Sequence, residues 1–352
     1  MIFIDDKPIN NFWTVGELSS ITPFGHGHIN NTYLVVAENG HFILQRINNK
    51  VFRTDALVSN YEVHVRAVIQ YQYKYNCKFT PLILQTREKK YHFIDKAYFA
   101  WRLIEYVPDA KTYDISPDPK VSSQAAEALG KYQRFLNTIN EASIQDSIKG
   151  FHNLSGRLKT FQMVIKLANS KLLLEANQEI KQLMALAQIA EQTSKLLPTV
   201  PTRVIHNDPK LNNILFAGNK VLVIDLDTIM SGKLMFDFGD MVRSFTSPAA
   251  EDDKDIDKTM LRTDHFTAIV KAYLSTLKNE ILQSEKSSLL AGAKYIIYEQ
   301  SIRFLIDFLQ ENKYYKISYP THNLVRARTQ IKLLQSLIDQ ESNLKRIVKL
   351  YG

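Results

Sequence analysis

The sequence predicts a mixed α+β chain with an antiparallel-sheet amino-terminal lobe that contains one helix and a mainly helical carboxy-terminal lobe. Alternating or β-branched segments dominate roughly the first hundred residues, and one stretch with helical spacing interrupts them. After Val107-Pro108 the apolar residues recur mostly at helical spacing. A chain of 352 residues is long enough to bury two hydrophobic cores. We therefore place the lobe boundary between residues 106 and 107, which gives lobes of 1–106 and 107–352.

The strands predicted for the amino-terminal lobe are bounded by turn residues such as Asn39-Gly40. They are Ile29–Ala37, His41–Ile47, Pro81–Gln85, Tyr91–Ile94 and Ala97–Val107. The helix is predicted over Ala56–Tyr71, because four apolar or aromatic residues fall near helical spacing there. They are Leu57, Tyr61, Val65 and Val68.

Six helices are predicted in the carboxy-terminal lobe from apolar residues at helical periodicity. They are Gln124–Leu136, Arg157–Leu173, Gln178–Leu196, His265–Leu277, Lys286–Gln310 and Leu324–Ile338. Between the third and fourth lies Thr202–Met230, which is rich in Val and Ile and carries many polar residues. This segment is expected to form a small buried sheet.

The formal net charge of +8 comes from Lys and Arg residues that are spread along the chain. We find no recognition helix and no aromatic RNA-binding pattern, so the balance indicates a solvated basic surface with a few charges for phosphate. Asp5 and Asp6 stand where a signal peptide needs basic residues, and no apolar run approaches the ~18 residues of a membrane span. Cys77 is the single cysteine and cannot form an internal disulfide. We expect a cytoplasmic protein without nucleic-acid or membrane partners; its oligomeric state is left open.

Two apolar, strand-like runs flank an unusually polar loop in the segment VIHNDPKLNNILF at Val204–Phe216. His206 precedes Asp208 by two residues and Asn213 follows it by five, which are the gaps of the kinase pattern H-R-D-L-x-x-x-N. Asp225 follows a further apolar strand, where kinases carry the Asp of D-F-G. Phosphoryl transfer needs a carboxylate for the attacking hydroxyl and oxygen ligands for Mg²⁺. The spacing predicts Asp208 as catalytic base and Asn213 and Asp225 as Mg²⁺ ligands; the alternative is a helix cap and a buried turn.

Several segments together carry a family resemblance. They are His206–Phe216, VIDLDT with the following Gly232, DFGDMVR at Asp237–Arg243, Gly27–Asn30, Ile43–Asn48, Ile302–Leu305 and Asn323–Arg328. In these segments the chain resembles the aminoglycoside phosphotransferase and choline kinase superfamily, and within it the N-acetylhexosamine 1-kinases. The resemblance runs from about residue 20 to about residue 335 and implies a bilobal, protein-kinase-like fold.

The resemblance implies an ATP-dependent kinase that phosphorylates the anomeric hydroxyl of an N-acetylhexosamine (N-acetylglucosamine or N-acetylgalactosamine) with Mg²⁺ as cofactor. Other acceptors stay open: choline, ethanolamine, an aminoglycoside or a homoserine-like alcohol. A nucleotide-binding module without catalysis is a third possibility. The absence of a lysine on the third strand favours this module, whereas the intact Asp208, Asn213 and Asp225 argue against it.

The resemblance also implies a nucleotide site in the amino-terminal lobe. Its phosphate loop is expected at Phe24–His28, where Gly25 and Gly27 let the backbone approach phosphate oxygens. Gln45 or Arg46 takes the place of the third-strand lysine of kinases. Strand alternation turns only one of them toward the nucleotide. The charge favours Arg46, and simple alignment favours Gln45.

Two further contacts follow from the resemblance. The backbone groups of Glu105 and Val107, in the link between the lobes, are expected to meet adenine. Glu62 could be the helix carboxylate that orients the basic residue of the strand, or an ordinary surface residue of an amphipathic helix.

The acceptor site is the least constrained part of the prediction. The resemblance places Asn31 and Arg303 at a sugar, although Asn31 stands where the subgroup is expected to carry Asp. His152, in Phe151-His152-Asn153, is a candidate for the wall of the acceptor pocket. The alternatives are a solvated Arg303 and a purely structural His152.

Overall fold

The computed structural model describes residues 8–12, 15–25 and 29–352. They form two compact units. The first unit comprises the described residues up to Lys111 together with Phe135–Gly150 and Leu215–Ser231. The second comprises Thr112–Arg134, Phe151–Ile214 and Gly232–Gly352. The chain therefore passes between the units more than once.

The first unit contains an antiparallel sheet with strand order β1-β2-β3-β6-β4, and β5 also pairs with β6. The strands are β1 (Leu18–Pro23), β2 (Asn31–Ala37), β3 (Gly40–Arg46), β4 (Ile83–Leu84), β5 (Phe93–Ile94) and β6 (Ala100–Glu105). One helix, α1 (Thr54–Tyr75), lies between β3 and β4 in the chain and ends at Asn76 in the left-handed conformation. The five predicted strands and the helix are confirmed. Strand β1 was not predicted.

The two faces of this sheet carry different side chains, because successive residues of a strand point to opposite sides. Phe42 and Leu44 of β3 pack into an apolar cluster with Tyr33, Val35 and Trp101. The opposite face packs against α1 through a second cluster. Its members include Ile47, Leu57, Tyr61, Val65 and Ile83.

The second unit is mainly helical, as predicted. Its first helix is α2 (Pro119–Leu136), of which residues 119–134 belong to this unit. The helices that follow are α3 (Leu154–Leu167), α4 (Ser170–Glu175), α5 (Asn177–Ala185), α6 (Gln188–Leu196), α7 (Leu234–Thr246), α8 (Thr263–Leu277), α9 (Gln283–Leu309), α10 (His322–Asp339) and α11 (Glu341–Tyr351).

Two of the predicted long helices are each divided. The stretch predicted as Arg157–Leu173 is α3 and α4, which separate where the Asn169 side chain caps α4 by accepting from the Lys171 N–H. The stretch predicted as Gln178–Leu196 is α5 and α6. Helices α7 and α11 were not predicted. Helix α7 is buried on almost all sides, so it lacks the polar face that produces an amphipathic pattern.

The segment predicted to be β-like forms four short strands. They are β7 (Arg203–Ile205), β8 (Ile214–Ala217), β9 (Lys220–Val223) and β10 (Met230–Gly232). Strands β8 and β9 pair with each other, and Gly218 in the turn between them has φ +57°. Asp208 follows β7 and Asp225 follows β9, so the predicted base and the predicted carboxylate ligand of Mg²⁺ both stand just beyond the end of a strand.

A close helix crossing fixes the position of α7 within the second unit. A Cβ at Gly239 of α7 would lie 2.5 Å from the Gly292 carbonyl oxygen of α9. A Cβ at Gly292 would lie 2.0 Å from the Met235 carbonyl oxygen. Only glycine permits this approach of the two backbones.

In the described part of the chain, no helix combines the length and apolarity that a bilayer crossing requires.

Candidate active site

The Asp208 carboxylate lies in a polar loop of the second unit and contacts two residues of the same loop. Lys210 Nζ lies 2.9 Å from Asp208 Oδ2. Asn213 Nδ2 donates to the Asp208 carbonyl oxygen at 2.8 Å and to Oδ2 at 3.1 Å. Burial raises the pKa of Asp208, but Lys210, His206 and Arg243 outweigh it and the pKa lies below its usual value. Asp208 is therefore a carboxylate at neutral pH, as a catalytic base must be.

The backbone of this loop is held by Asp237 from the first turn of α7. Its carboxylate accepts the His206 N–H at 2.9 Å and the Asn207 N–H at 2.7 Å. Asn207 has φ +66°, a conformation that needs such support in a residue with a side chain. Burial raises the pKa of Asp237 to about 6, against the lowering effect of His206 and the two backbone donors. Asp237 thus fixes the residue immediately before Asp208.

His152 supports the same loop from the other side. Its Nε2 lies 3.1 Å from the Asn207 carbonyl oxygen, and its Nδ1 lies 2.7 Å from Glu299 Oε2. Glu299 is buried and also accepts from Arg157 Nε at 2.7 Å. The structure therefore uses both ring nitrogens of His152 to connect α9 to the loop. It places His152 as a residue that positions the loop.

Arg303 of α9 lies half-buried between two aromatic rings in the same unit. Its guanidinium carbon is 5.7 Å from the Phe151 ring centroid and 5.6 Å from that of Tyr315. Its one hydrogen bond to a described residue goes from Nη1 to Gln300 Oε1 at 3.0 Å. Burial lowers the pKa of Arg303, but nearby Tyr315, Glu299, Tyr314 and Asp208 raise it on balance. Arg303 thus keeps several N–H donors for a ligand, within electrostatic reach of Asp208.

The first unit holds Asp225 and a buried network beside it. Asp225 is half-buried in the left-handed conformation, with φ +60°, and begins the tight turn Leu226–Thr228. Two residues on, the Asp227 carboxylate is fully buried and accepts from Tyr61 Oη, Arg102 Nη1 and Asn30 Nδ2. The turn that carries Asp225 is therefore anchored to the sheet and to α1.

The structure separates the two candidates for the lysine position. Gln45 lies on the α1 side of the sheet, where its Oε1 accepts from Arg102. Arg46 lies on the opposite face, over the rings of Phe99 and Trp101. Asn31, predicted at the acceptor, is the cross-strand neighbour of Arg46, and its Oδ1 accepts from Arg46 Nη2 at 3.1 Å.

The remaining predicted nucleotide residues also belong to the first unit. Gly25 follows β1 with φ +73°, which a residue with a side chain rarely adopts. Gly27 lies outside the described residues. The Glu105 carboxylate pairs with Lys78 Nζ at 2.5 Å, and Val107 is half-buried two residues beyond the end of β6. Glu62 accepts from the Tyr91 N–H at 3.0 Å and pairs with Arg66, so it contacts neither Gln45 nor Arg46.

A family model described as the phosphotransferase enzyme family matches residues 20–258, more than half of the chain. The chain belongs to this family.

Solved structures agree with the fold of this phosphotransferase at low sequence identity. A microcompartment-associated aminopropanol kinase superposes with a TM-score of 0.63 at 15% identity, covering 97% of this chain and 98% of its own. An aminoglycoside phosphotransferase from Alicyclobacillus acidocaldarius gives 0.60 at 13%, covering 100% and 96%. An amicoumacin kinase in complex with AMP-PNP and Ca²⁺ gives 0.57 at 12%, covering 91% and 90%. These likenesses confirm the protein-kinase-like fold.

The predicted Mg²⁺ ligands have the chemistry that this cation requires. The Asn213 amide nitrogen donates to Asp208, which leaves Oδ1 as the side-chain atom able to coordinate a metal. Asp225 adds a carboxylate at the start of a turn. Among the residues described, no cluster of three or more His, Cys, Asp and Glu could hold a metal by itself. Proteins commonly bind Mg²⁺ through one or two side chains together with phosphates of the substrate.

Sequence reasoning missed three residues of the site. Lys210 stands two residues after Asp208, and a basic residue inside so short a polar loop was the available signal. Arg102 lies within the apolar strand AWRLIE, where a charged residue indicates a buried partner. Tyr61 was named only as one of the apolar or aromatic residues that predict the helix; its ring is buried, but its hydroxyl joins the Asp227 network. Nothing in the sequence distinguished it from an ordinary aromatic core residue.

Proposed function

We propose that this phosphotransferase transfers the γ-phosphate of ATP to the anomeric hydroxyl of an N-acetylhexosamine, with Asp208 as the catalytic base. The ionised Asp208 carboxylate, held beside Lys210 and Asn213, is the observation that supports the reaction. It accepts the proton of the attacking hydroxyl. The Lys210 ammonium, already 2.9 Å from Asp208, supplies positive charge for phosphoryl oxygens next to the base.

The proposed cofactor is Mg²⁺, with Oδ1 of Asn213 and the carboxylate of Asp225 as its protein ligands. When bound, the ion neutralises charge on the phosphates. The remaining contribution of this chain is positioning. Asp237 and His152 hold the backbone beside Asp208, so the base stays in one place while the acceptor approaches.

The acceptor class is inferred from Arg303. Its guanidinium makes one hydrogen bond to a described residue, which leaves further N–H donors for a ligand, and it interacts electrostatically with Asp208. Such a group binds a carbonyl oxygen, as in an acetamido substituent, and repels an ammonium. Glu299, a buried carboxylate that interacts electrostatically with Arg303, is already occupied by His152 and Arg157. This arrangement favours a neutral acceptor that carries a carbonyl.

An amino alcohol is the second candidate acceptor, because a structural neighbour is named an aminopropanol kinase. A cationic acceptor needs an unpaired carboxylate or an aromatic cage. Phe151 and Tyr315 would supply aromatic faces, but Arg303 already stacks on both of them. A nucleotide-binding module without catalysis is the third candidate, and the ionised Asp208 argues against it.

A coupled ADP-release assay with Mg-ATP tests the proposal. The panel contains N-acetylglucosamine, N-acetylgalactosamine, galactose, choline, 1-amino-2-propanol and kanamycin. We expect turnover with an N-acetylhexosamine, about 10²–10⁴-fold lower kcat in Asp208→Asn, and no change in Asp146→Asn, an exposed control. Arg303→Met should raise KM for the acetamido sugar and leave KM for ATP unchanged. Turnover only with choline, 1-amino-2-propanol or kanamycin would overturn the proposed neutral acceptor. No turnover with any member of the panel would favour the nucleotide-binding module without catalysis.

A further inference from the structure

A buried cluster of polar side chains in the first unit is centred on one cation, Arg102. Arg102 of β6 is 2% exposed and contacts Gln45, Tyr61 and Asp227. We propose that Arg102 is the cation that contacts the phosphates of the nucleotide, in place of the lysine that kinases carry on the third strand. This inference rests on the proposed function, because it assumes that the chain binds ATP.

The sheet register supports the exchange. Gln45 is the residue of β3 that simple alignment favours for the place of the kinase lysine, and its directly paired residue on β6 is Arg102. Both side chains therefore point to the same face of the sheet, toward α1. The cation of this chain therefore stands on β6, directly opposite the β3 residue proposed to take the place of the kinase lysine. A guanidinium has a longer reach than an ammonium on the same strand, so it can bring its charge to the neighbourhood of the β3 side chain.

Gln45 is oriented to hold this cation. Its Nε2 donates to Thr32 Oγ1 at 3.0 Å, which turns Oε1 toward Arg102. Oε1 then accepts from Arg102 Nε at 2.9 Å and from Nη2 at 2.6 Å. A lysine at position 45 would instead put a second positive charge against Arg102. A lysine at position 45 is therefore compatible with position 102 only when that position carries no cation.

The helix partner changes together with the cation. In kinases a glutamate of the helix pairs with the strand lysine. Here the hydroxyl of Tyr61 on α1 accepts from Arg102 and donates to Asp227 Oδ1, whereas Glu62 is engaged with Tyr91 and Arg66. Asp227 supplies the negative charge that a buried guanidinium needs. A neutral tyrosine suffices on the helix because the carboxylate comes from the turn after β9.

Arg102 has one N–H group left to bind an anion, and it lies near Asp225. Four of the five N–H donors of Arg102 are used by Gln45, Tyr61 and Asp227, and the second N–H of Nη2 meets no acceptor among residues 8–12, 15–25 and 29–352. Asp225 also interacts with Arg102 electrostatically. A cation next to a proposed Mg²⁺ ligand, with a donor left over, fits the phosphates of a nucleoside di- or triphosphate. Arg46, the rival, lies on the opposite face of the sheet.

Binding of ADP and of adenosine, measured by titration calorimetry, tests the role of Arg102 separately from phosphoryl transfer. A charge-assisted hydrogen bond contributes roughly tenfold to hundredfold in affinity. We therefore expect Arg102→Gln to weaken ADP binding about 10–100-fold and to change adenosine binding less than about twofold. Arg66→Gln, which removes an exposed arginine of α1, is the matched control and should change neither. Equal weakening of ADP and adenosine would indicate a purely structural residue and would overturn the inference.

The exchanged variant Gln45→Lys/Arg102→Gln is the sharper test, because it returns the cation to the third strand. It should recover most of the ADP affinity that Arg102→Gln loses. If loss of the charge unfolds the protein, Arg102→Lys keeps the charge with a shorter reach and should weaken ADP binding about tenfold, with adenosine unchanged. ADP-specific loss in Arg46→Gln but not in the Arg102 variants would overturn the inference. Tight ADP binding by a wild-type protein that transfers no phosphate would refute the proposed function alone.

Discussion

Two carboxylate–cation pairs, one in each unit, differ in how much water reaches them. In the second unit, the side chains of Asp208 and Lys210 are 23% and 31% exposed. In the first unit, those of Asp227 and Arg102 are 0% and 2% exposed. The first pair joins residues two positions apart in one loop. The second joins a strand to a turn that lies 125 residues further along the chain.

This difference decides what each pair can do. A partly exposed pair contributes little to stability, so its charges are free to exchange partners with a substrate. A buried pair is costly to break, because removing one partner leaves an uncompensated charge inside the protein. We therefore expect changes at Lys210 to affect the reaction and changes at Asp227 to affect the fold. Variants at the two pairs test this division of roles.

The largest effect is expected for Asp227→Asn, which leaves Arg102 buried without a counter-charge. The free energy of unfolding should fall by about 3–5 kcal/mol, as is typical when one partner of a buried pair is removed. Urea denaturation followed by circular dichroism measures it. Glu88→Gln breaks an exposed pair with Lys90 in the same unit and should leave the midpoint unchanged. An unaltered midpoint for Asp227→Asn would show that the buried pair does not stabilise the fold.

Lys210→Met should slow the reaction without destabilising the fold. We expect kcat to fall about 10–100-fold, the loss of one strong charge-assisted interaction, with the urea midpoint unchanged. Burial raises the pKa of Asp208 and Lys210 is the largest of the groups that lower it. Without Lys210 the pKa of Asp208 rises, and because this base must be ionised, the fall in kcat that accompanies its protonation should move to higher pH. A loss of stability as large as the loss of rate would contradict the division.

A pH dependence of activity is expected from Asp237. Burial raises its pKa from an ordinary 3.8 to about 6 in the folded protein. Below about pH 6 the protonated carboxyl loses one of the two acceptors that hold the His206 and Asn207 N–H groups, so kcat should fall several-fold, the effect of about one hydrogen bond.

The contribution of Asp237 to stability has the opposite sign. Because its folded pKa is raised, the native state binds the proton more tightly than the unfolded state between pH 3.8 and about 6. This contribution is fully present below pH 3.8 and is lost as pH rises to about 6. Acid inactivation near pH 6 should therefore precede unfolding. In Asp237→Asn, kcat should be low and should no longer change with pH around pH 6. If the fall in kcat near pH 6 persisted in this variant, it would belong to another titrating group.

The same contrast explains which parts of the site the sequence could predict. Asp208, Asn213 and Asp225 were recognised because their spacing along the chain is itself the signal. The partners of Arg102 come from distant positions, and sheet register and helix rotation decide which of them meet. Strand β1 escaped prediction because its burial does not alternate, and α7 because it is buried nearly all round. Local spacing could be read from the sequence, whereas a network assembled from four elements could not.

The smallest effect is expected at Glu62, the helix carboxylate that kinases would use. Its side chain binds the Tyr91 N–H and Arg66, away from Gln45 and Arg102. Glu62→Gln keeps a carbonyl acceptor for Tyr91, so KM for ATP should change less than about twofold, because an exposed ion pair contributes little. Tyr61→Phe, one position earlier, removes a buried hydroxyl shared by Arg102 and Asp227, and it should raise KM several-fold. Steady-state kinetics of the two variants compare these changes in KM for ATP. A larger increase for Glu62→Gln than for Tyr61→Phe would show that the helix acts through its glutamate, as in kinases, and that Tyr61 is not part of the proposed phosphate site.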